Sequence, residues 1–310
     1  MEKCDVNNIF EEKIVIYKCS DERYKQAYKE LRKEHRDVSF WEQGKSLFND
    51  VDVAISFCLS KFVAFFTDDT IFYNEVLLSD QWLEGIFDVP PIKVCDNAPA
   101  EYVSHISLRL GKNTQHRFIN DGQLIHQPVG NVATLTNDKS SHKEWKNVLL
   151  YDRSIHFYGG YWNYPISLDG HIFRQSTVQQ WTEELCYLDP IKKWKQNPNE
   201  LERALQRFCQ ECDRFVAMPE QGCVVNSPNN QVSDYFAHDA SINRSGDYLP
   251  CDAKELLNDF IDGYRINYPM LKKSGPLSNI MTPHQEINFL DAMIKYEWEG
   301  DPRIVCKGKV

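Results

Sequence analysis

Short apolar runs alternate with amphipathic stretches in the N-terminal part of the chain. Lys13–Tyr17 (KIVIY) and Phe62–Phe66 (FVAFF) have the length and composition of buried strands, and Val38–Phe40 predicts a further strand between them. Asp21–Glu34 carries its apolar residues on one helical face, and a second helical stripe covers Leu47–Cys58. The order strand, helix, strand, helix, strand predicts an α/β fold with a mainly parallel sheet flanked by helices.

The pattern is less regular in the middle of the chain and becomes helical again towards its end. Val103–Leu110 alternates between apolar and polar residues as a strand does. Asn199 and Asp252 each precede a glutamate by three positions at the start of an amphipathic stretch, which is typical of a capped helix. We expect a last helix from His284 to Tyr296.

Length and composition describe an ordinary globular enzyme. A chain of 310 residues with 42% hydrophobic and 26% charged residues can bury a substantial core. We expect a catalytic core over residues 1–190 and a helical C-terminal part over 191–310, packed together as one unit. The net charge of −10 argues against a nucleic-acid partner, because phosphate binding needs a basic surface.

Targeting signals and a disulfide framework are not recognisable in the sequence. The ten cysteines do not form the pattern of a small secreted scaffold, and the pair Cys209–Cys212 has no second pair at zinc-site spacing. The N-terminus lacks a basic segment followed by an apolar run, so we expect no signal peptide. No apolar stretch reaches the roughly 18 residues that span a bilayer. These features predict a cytoplasmic protein without a transmembrane segment.

Two adjacent carboxylates, Asp68 and Asp69, follow the apolar run Phe62–Phe66. Ligands of open α/β sheets bind beyond the carboxyl ends of strands. Mg²⁺ and Mn²⁺ prefer carboxylate oxygens, and such an ion bridges protein carboxylates and a diphosphate. The pair therefore predicts a divalent-metal site. The alternative is a solvated acidic turn in which one carboxylate caps the next helix.

A second candidate site combines an acid, an imidazole and a guanidinium within six positions. Asp169, His171 and Arg174 lie in a segment rich in aromatic and apolar residues, and they can supply a base, a ligand and a phosphate partner. The alternative is a tight turn in which Gly170 meets a backbone requirement and the polar groups satisfy one another.

Two further segments are weaker candidates. Arg109 and Lys112 follow a predicted strand and can contact phosphates, although a strand that ends at a glycine turn has the same pattern. His284 lies two positions before Glu286, a spacing that allows metal binding but is more often found on a surface. The chain has no P-loop, no G-x-G-x-x-G and no G-x-S-x-G motif.

Eight stretches between Lys13 and Phe289 are distinctive in their order and spacing. They are KIVIYKCSDERYKQAYKEL, AFFTDDTIF, HISLRLGKNT, YPISLDGHIFR, NPNELERAL, VVNSPNNQVSD, LLNDFIDGYRI and PHQEINF. Taken together, they resemble a largely uncharacterised family of bacterial glycosyltransferases of the GT-A fold. The resemblance covers most of the chain, and the order of the segments carries it more than any single motif.

The resemblance implies transfer of a sugar from a nucleotide-diphosphate donor to an acceptor hydroxyl, in glycan or polysaccharide assembly. Asp68 and Asp69 align with the family's DxD-like motif, which holds Mn²⁺ or Mg²⁺ and the donor. Thr70 stands where the family's motif has a third carboxylate, so this chain departs from the motif at that position.

The remaining site residues follow from the same resemblance for Asp169, His171 and His284, and from their charge for Arg109 and Arg174. Asp169 is expected to be the catalytic acid or base on the acceptor side. Arg109, His171 and Arg174 are expected to contact the nucleotide sugar. His284 is expected to join Asp69 as a metal ligand, because enzymes of this fold often recruit a C-terminal histidine.

Several alternatives stay open at the level of sequence. The Lys13–Tyr17 strand matches the family's second strand, so either the first strand–helix unit is missing or the register is shifted. A chain without that unit is alternatively a degenerate GT-A domain that acts as a non-catalytic binding or assembly module. A nucleotidyltransferase is a third hypothesis, although the glycine-rich loop of that class is not visible. The sequence does not distinguish inverting from retaining chemistry, and it identifies neither the sugar, the acceptor nor the oligomeric state.

Overall fold

The computed structural model describes residues 9–76, 78–88, 102–115, 133–134, 148–152, 162, 166–192, 194–210, 215–227, 253–273, 275–281, 287, 289, 292–296 and 306–308. The helices in these residues are α1 (Glu22–Glu34), α2 (Leu47–Phe57), α3 (Asp80–Phe87), α4 (Gln175–Lys192), α5 (Pro198–Gln210), α6 (Ala253–Ile261) and α7 (Tyr268–Lys273). The strands are β1 (Lys13–Tyr17), β2 (Val38–Glu42), β3 (Phe62–Phe65), β4 (Thr70–Phe72), β5 (Val103–Ser107), β6 (Ala133–Thr134), β7 (Val148–Asp152), β8 (His171–Arg174), β9 (Phe215–Pro219), β10 (Val224–Asn226), β11 (Tyr264–Ile266), β12 (Met293–Tyr296) and β13 (Cys306–Gly308).

The predicted N-terminal series of strand, helix, strand, helix and strand is confirmed as β1, α1, β2, α2 and β3. Asp21 caps α1 by accepting hydrogen bonds from the backbone N–H groups of Arg23 and Tyr24, and Ser46 caps α2 in the same way. β1 and β2 pair in parallel, as a strand–helix–strand unit requires. They form a two-stranded sheet of their own, whereas β3 lies in the main sheet.

The main sheet has six strands in the order β3-β8-β5-β9-β7-β6. Only the β5–β9 pair is parallel, and the other four neighbouring pairs are antiparallel. The prediction of an α/β fold is confirmed, but the prediction of a mainly parallel sheet is wrong. The prediction assumed that strands and helices alternate along the whole sheet. Among the described elements, β5, β6, β7 and β8 follow one another without a helix between them.

Helices cover both faces of this sheet. Ile172 and its neighbour Phe173 on β8 point to opposite faces, as successive strand residues do, and both are buried. Ile172 packs in a core with α3, and Phe173 packs in a core with α2, α4 and α5. The sheet is therefore the middle layer between two apolar cores.

The described residues of the C-terminal part, expected to be helical over 191–310, contain the strands β9 to β13 as well as the helices α5, α6 and α7. β9 inserts between β5 and β7 in the main sheet, so this part supplies a strand of the core. The predicted last helix to Tyr296 is wrong at its end, because Met293–Tyr296 is the strand β12. α5 begins near the expected position, but Asn197 caps it by accepting the Glu200 N–H at 2.9 Å. A short apolar run does not distinguish a buried strand from a helix segment.

No helix in the described part of the chain is long and apolar enough to cross a bilayer.

Two glycines with left-handed backbone conformations give a matched test of the fold. Gly170 has a φ of +85° and Gly263 a φ of +87°. A Cβ on Gly170 would lie 2.5 Å from Cγ2 of Val224, whereas a Cβ on Gly263 would meet nothing within 4 Å. We expect Gly263→Ala to lower the free energy of unfolding by about 1 kcal/mol through backbone strain alone. Gly170→Ala adds a steric clash and should cost about 3 kcal/mol, as measured by urea denaturation. Equal losses in the two variants would contradict the close approach of Val224.

Candidate active site

Three strand ends meet at one edge of the main sheet. Phe65 at the end of β3 and Ser107 at the end of β5 both pair with His171 at the start of β8. Gly170 joins the three strands, since its N–H donates to the Phe65 carbonyl at 2.7 Å and its carbonyl accepts from the Leu108 N–H at 2.8 Å. The turn before β8 therefore lies between the segments that follow β3 and β5.

This arrangement brings Asp69 and Asp169 together from positions 100 apart in the sequence. Oγ1 of Thr67 lies 2.6 Å from Oδ1 of Asp69 and 2.6 Å from Oδ1 of Asp169. Two such contacts to one oxygen atom hold the carboxylate oxygens within about 5 Å of each other. Asp169 has 14% of its side chain exposed, and Asp69 is half-buried, so the pair lies at the surface of the core.

Asn226 completes this cluster from a second ladder. β10 pairs antiparallel with β4, which places Asn226 opposite Thr70. Its Nδ2 donates to Oδ1 of Asp69 at 3.1 Å and to Oγ1 of Thr67 at 3.2 Å. Its Oδ1 is buried and accepts no hydrogen bond from the residues that the structure describes. A buried acceptor of this kind costs free energy unless a ligand, an ion or water supplies its partner.

Arg109 lies behind Asp169 and is almost fully buried. Its Nη1 donates to Oδ2 of Asp169 at 3.1 Å and to Oγ of Ser167 at 3.0 Å, and Oγ of Ser167 donates to the same carboxylate oxygen at 2.9 Å. The side chain of Arg109 is 5% exposed. In this position Arg109 orients the Asp169 carboxylate. The contact between Arg109 and a phosphate, expected from the sequence, stays a prediction.

His171 is a buried support of the same turn. Its Nδ1 accepts the Ser167 N–H at 3.1 Å, and its ring stacks on His105 with the centroids 4.5 Å apart. Burial and the nearby charge of Arg109 lower the pKa of His171 to about 3, against the opposing effect of Asp169. The imidazole is therefore neutral at physiological pH, and the expected contact with the nucleotide sugar is not evident from this position.

The structure does not bring Arg174 to the acidic cluster. Arg174 ends β8 and pairs with Phe62 at the start of β3, so it lies at the opposite edge of the sheet. Its Nη2 donates to Oδ1 of Asp88 at 2.7 Å and to the Phe87 carbonyl at 2.6 Å. Arg174 therefore does not share the acidic cluster, and its expected contact with the nucleotide sugar stays a prediction. His284, the predicted metal ligand, lies outside the described residues.

Asp68 is exposed, and its charge acts both on Asp69 and on Tyr28 of α1. Burial raises the pKa of Tyr28 to about 12, and the charge of Asp68 contributes to that rise. The Tyr28 ring stacks on Tyr17 at the end of β1, with the centroids 4.0 Å apart. The stacked rings of Tyr17 and Tyr28, from β1 and α1, therefore lie close enough to Asp68 for its charge to act on Tyr28.

The contacts of Thr67 restrict the protons in the cluster. One hydroxyl has one proton, so Thr67 donates to only one of the two carboxylates at 2.6 Å. A proton on one of the two carboxyls would give both contacts a donor. Burial raises the pKa of Asp69, and Asp169 raises it further, while the hydrogen bonds from Thr67 and Asn226 lower it. Asp69 therefore holds a proton more readily than a solvated carboxyl does.

The donor set around the cluster consists of oxygen atoms. Among the described residues, no group of three or more His, Cys, Asp or Glu side chains is arranged to hold a metal ion. Mg²⁺ typically takes one or two carboxylates and completes its shell with water and substrate phosphates. Asp69 and Asp169 supply two carboxylates at this position, and Oδ1 of Asn226 is a buried oxygen without a described donor.

Sequence reasoning did not assign roles to Thr67, Ser167 and Asn226. All three lie in stretches that carry the family resemblance, in AFFTDDTIF, YPISLDGHIFR and VVNSPNNQVSD. Thr67 directly precedes Asp68 and Ser167 lies two positions before Asp169, whereas Asn226 has no charged neighbour in the sequence. An uncharged hydroxyl or amide has no distinctive pattern by itself.

Comparisons of the chain with protein-family models, with curated proteins and with solved structures gave no significant match.

The raised pKa of Asp69 predicts a stability that depends on pH. The folded chain holds the Asp69 proton more tightly than the unfolded chain, so this carboxyl stabilises the fold at low pH and loses that contribution as pH rises through its raised pKa. Asp69→Asn supplies a neutral group at every pH, and its Oδ1 can accept from Thr67 and Asn226 as Oδ1 of Asp69 does. We expect its melting temperature to exceed that of the native protein at about pH 8 and to converge with it below about pH 4.

Asp68→Asn is the control for this measurement, because the Asp68 side chain is exposed. Its melting temperature should follow that of the native protein across the same range. A lower melting temperature for Asp69→Asn at about pH 8 would show that the ionised carboxylate stabilises the fold.

Proposed function

We propose that this protein is a GT-A glycosyltransferase that moves a sugar from a nucleotide-diphosphate donor to an acceptor hydroxyl in glycan assembly. The observation that carries the proposal is the contact of Asp69 and Asp169 with a single Thr67 hydroxyl at 2.6 Å each. The sequence resemblance assigned the first carboxylate to the donor and the second to the acceptor. A reaction between the two substrates requires these positions to be adjacent.

A divalent cation is part of this proposal. Asp69, Asp169 and Asn226 would hold Mg²⁺ or Mn²⁺, and the bound ion would neutralise the charge that develops on the departing nucleoside diphosphate. The two carboxylates alone leave most of the ion's ligand positions to water and phosphate. The proposal therefore includes weak metal binding by the protein alone and stronger binding in the presence of a nucleoside diphosphate.

The protein's own groups give each carboxylate a different role. Arg109 and Ser167 fix Oδ2 of Asp169, so this carboxylate keeps its charge and its orientation when a substrate arrives. The Asp69 side chain has only neutral hydrogen-bond partners among the described residues, Thr67 and Asn226, so a cation would supply the opposite charge that these partners do not. The role of Asp169 as the general base for the acceptor hydroxyl stays a prediction.

Tyr28 supports a place for the nucleoside of the donor. Its ring lies on α1 within electrostatic reach of Asp68, and it is half-buried. Nucleobases commonly stack on aromatic side chains, and such a stack contributes about 1–3 kcal/mol. We assign this side of the acidic pair to the base and ribose and the Thr67 side to the diphosphate.

Titration calorimetry of UDP and GDP with Mn²⁺ tests the proposed function. The native protein should bind at least one of the two nucleotides, and binding should weaken strongly when Mn²⁺ is omitted. Thr67→Val removes the bridging hydroxyl and should weaken metal-dependent binding by roughly 10-fold to 100-fold, whereas Thr67→Ser should retain most of it. Glu30→Gln, on the outer surface of α1, is the control and should leave binding unchanged. Absence of binding by the native protein to any nucleoside diphosphate would refute the proposal.

A non-catalytic module built on the same fold is the alternative outcome. The ion pair between Asp169 and Arg109 favours this alternative, because a carboxylate paired with a guanidinium is a poor base. This alternative predicts nucleotide binding without turnover. Detectable hydrolysis or transfer of a sugar nucleotide by the purified protein, lost in Asp69→Asn, would exclude it.

A further inference from the structure

We propose that the side-chain amide of Asn226 turns over when the cluster of Asp69 and Asp169 binds a divalent cation, a response that rests on the proposed function. In the free protein the amide presents its Nδ2 group to Asp69, and its Oδ1 accepts no hydrogen bond from the described residues. In the cation-bound protein Oδ1 faces the cluster instead. The NH₂ group of Asn226 thereby competes with the ion for Asp69.

The backbone on both sides of Asn226 is fixed. Asn226 ends β10, which pairs with β4 so that Asn226 lies opposite Thr70. The pairing continues beyond the strand, since the Ser227 N–H donates to the Asp69 carbonyl at 2.9 Å. The Asn226 residue is 2% exposed. Rotation of the side-chain amide is therefore the movement that Asn226 can make without a change in the strand.

The Nδ2 side of the amide faces oxygen atoms. Nδ2 lies 3.1 Å from Oδ1 of Asp69, 3.2 Å from Oγ1 of Thr67 and 3.5 Å from Oγ1 of Thr70. An ionised carboxylate accepts hydrogen bonds and donates none, so an empty cluster selects the NH₂ group of the amide. The opposite orientation would place the amide oxygen against the carboxylate oxygen of Asp69 without a proton between them.

The Oδ1 side of the amide does not resist rotation. Oδ1 is buried and accepts no hydrogen bond within the part of the chain that the structure describes, so turning the amide breaks none at this atom. A carbonyl oxygen in this state costs free energy, because folding has removed its water without supplying a donor. The amide nitrogen and oxygen are similar in size, so the same cavity accepts both orientations. The cluster side therefore decides between them.

A divalent cation reverses the preference of the cluster. Mg²⁺ and Mn²⁺ take carboxylate and carbonyl oxygens as ligands, and they repel an NH₂ group. An ion held by Asp69 and Asp169 would therefore face Oδ1 of Asn226. The ion turns the amide only if it gains more from Oδ1 than the empty cluster loses with Nδ2. This loss contributes to the weak metal binding proposed for the protein alone.

Nuclear magnetic resonance of the full chain labelled with ¹³C- and ¹⁵N-asparagine measures the orientation directly. The probes are Mg²⁺ alone and Mg²⁺ with UDP or GDP, because Mg²⁺ is diamagnetic. In the free protein we expect nuclear Overhauser contacts between the Nδ2 protons of Asn226 and the methyl group of Thr67. The bound ion should remove these contacts and shift the Asn226 ¹³Cγ resonance downfield, both saturably.

Two variants assign these signals, and two conditions exclude other causes. Asn226→Asp removes the side-chain amide resonance, and Thr67→Ser removes the methyl group that gives the contacts. KCl at matched ionic strength should leave the amide signals unchanged, which excludes a screening effect. A constant pH of about 8, well above the usual range of a carboxyl pKa, excludes proton uptake as the cause.

The affinity of Asn226→Asp for Mn²⁺ tests the competition. This variant replaces the NH₂ group with a carboxylate oxygen, so it should bind Mn²⁺ alone about 10-fold more tightly than the native protein. It should also gain less affinity for Mn²⁺ from added UDP. Asn49→Asp is the matched control, because it adds the same charge at an exposed position of α2 and should leave Mn²⁺ binding unchanged.

Three results would overturn the proposal and leave the proposed function intact. They are the absence of the Asn226–Thr67 contacts in the free protein, their persistence when calorimetry shows the site filled, and equal Mn²⁺ affinities of the native protein and Asn226→Asp. The first two are measured on the native chain and do not depend on the folding of Asn226→Asp. Absence of binding to any nucleoside diphosphate with a divalent cation would instead refute the proposed function, and this proposal with it.

Discussion

β8 is hydrogen-bonded on both sides, to β3 along Phe62–Phe65 and to β5 at Ile106 and Ser107. Its antiparallel direction reverses the usual arrangement, in which loops follow strands at the ligand-binding edge. The turn that precedes β8 lies at the same edge as the segments that follow β3 and β5. Asp69, Asp169 and Arg109 meet there for this reason, although they come from three separate segments. Without β8 in this direction, the site would have no second carboxylate.

The electrostatic balance of the site follows from that arrangement. Asp169 is compensated by the buried guanidinium of Arg109, so its charge is tolerated near the core. The Asp69 side chain has only Thr67 and Asn226 as hydrogen-bond partners among the described residues, and burial raises its pKa. Folding imposes a desolvation cost on the ionised form of this carboxylate. A bound cation would offset that cost, because it would supply the opposite charge. The same cost explains why the fold would be more stable with a neutral residue at this position.

β8 also explains why neighbouring residues of one motif have unrelated environments. Asp169, His171 and Arg174 lie within six positions, but the strand carries them from one edge of the sheet to the other. Asp169 faces the acidic cluster, His171 is buried between β3 and β5, and Arg174 reaches Phe87 and Asp88. Residues that are close in sequence therefore share a site when they lie in one turn. Residues at the two ends of a strand do not.

The sequence by itself determined the N-terminal elements, because apolar runs and amphipathic stripes with clear caps specify local structure without help from distant residues. It also identified Asp69 and Asp169 as candidates, since a carboxylate beside an apolar strand is unusual on local grounds alone. Only the tertiary structure decided that the sheet is mainly antiparallel, because strand direction depends on which strands become neighbours. It likewise placed Thr67 and Asn226 in the cluster and Arg174 outside it. Hydrogen bonds between residues 159 positions apart, as between Thr67 and Asn226, leave no periodic trace in a sequence.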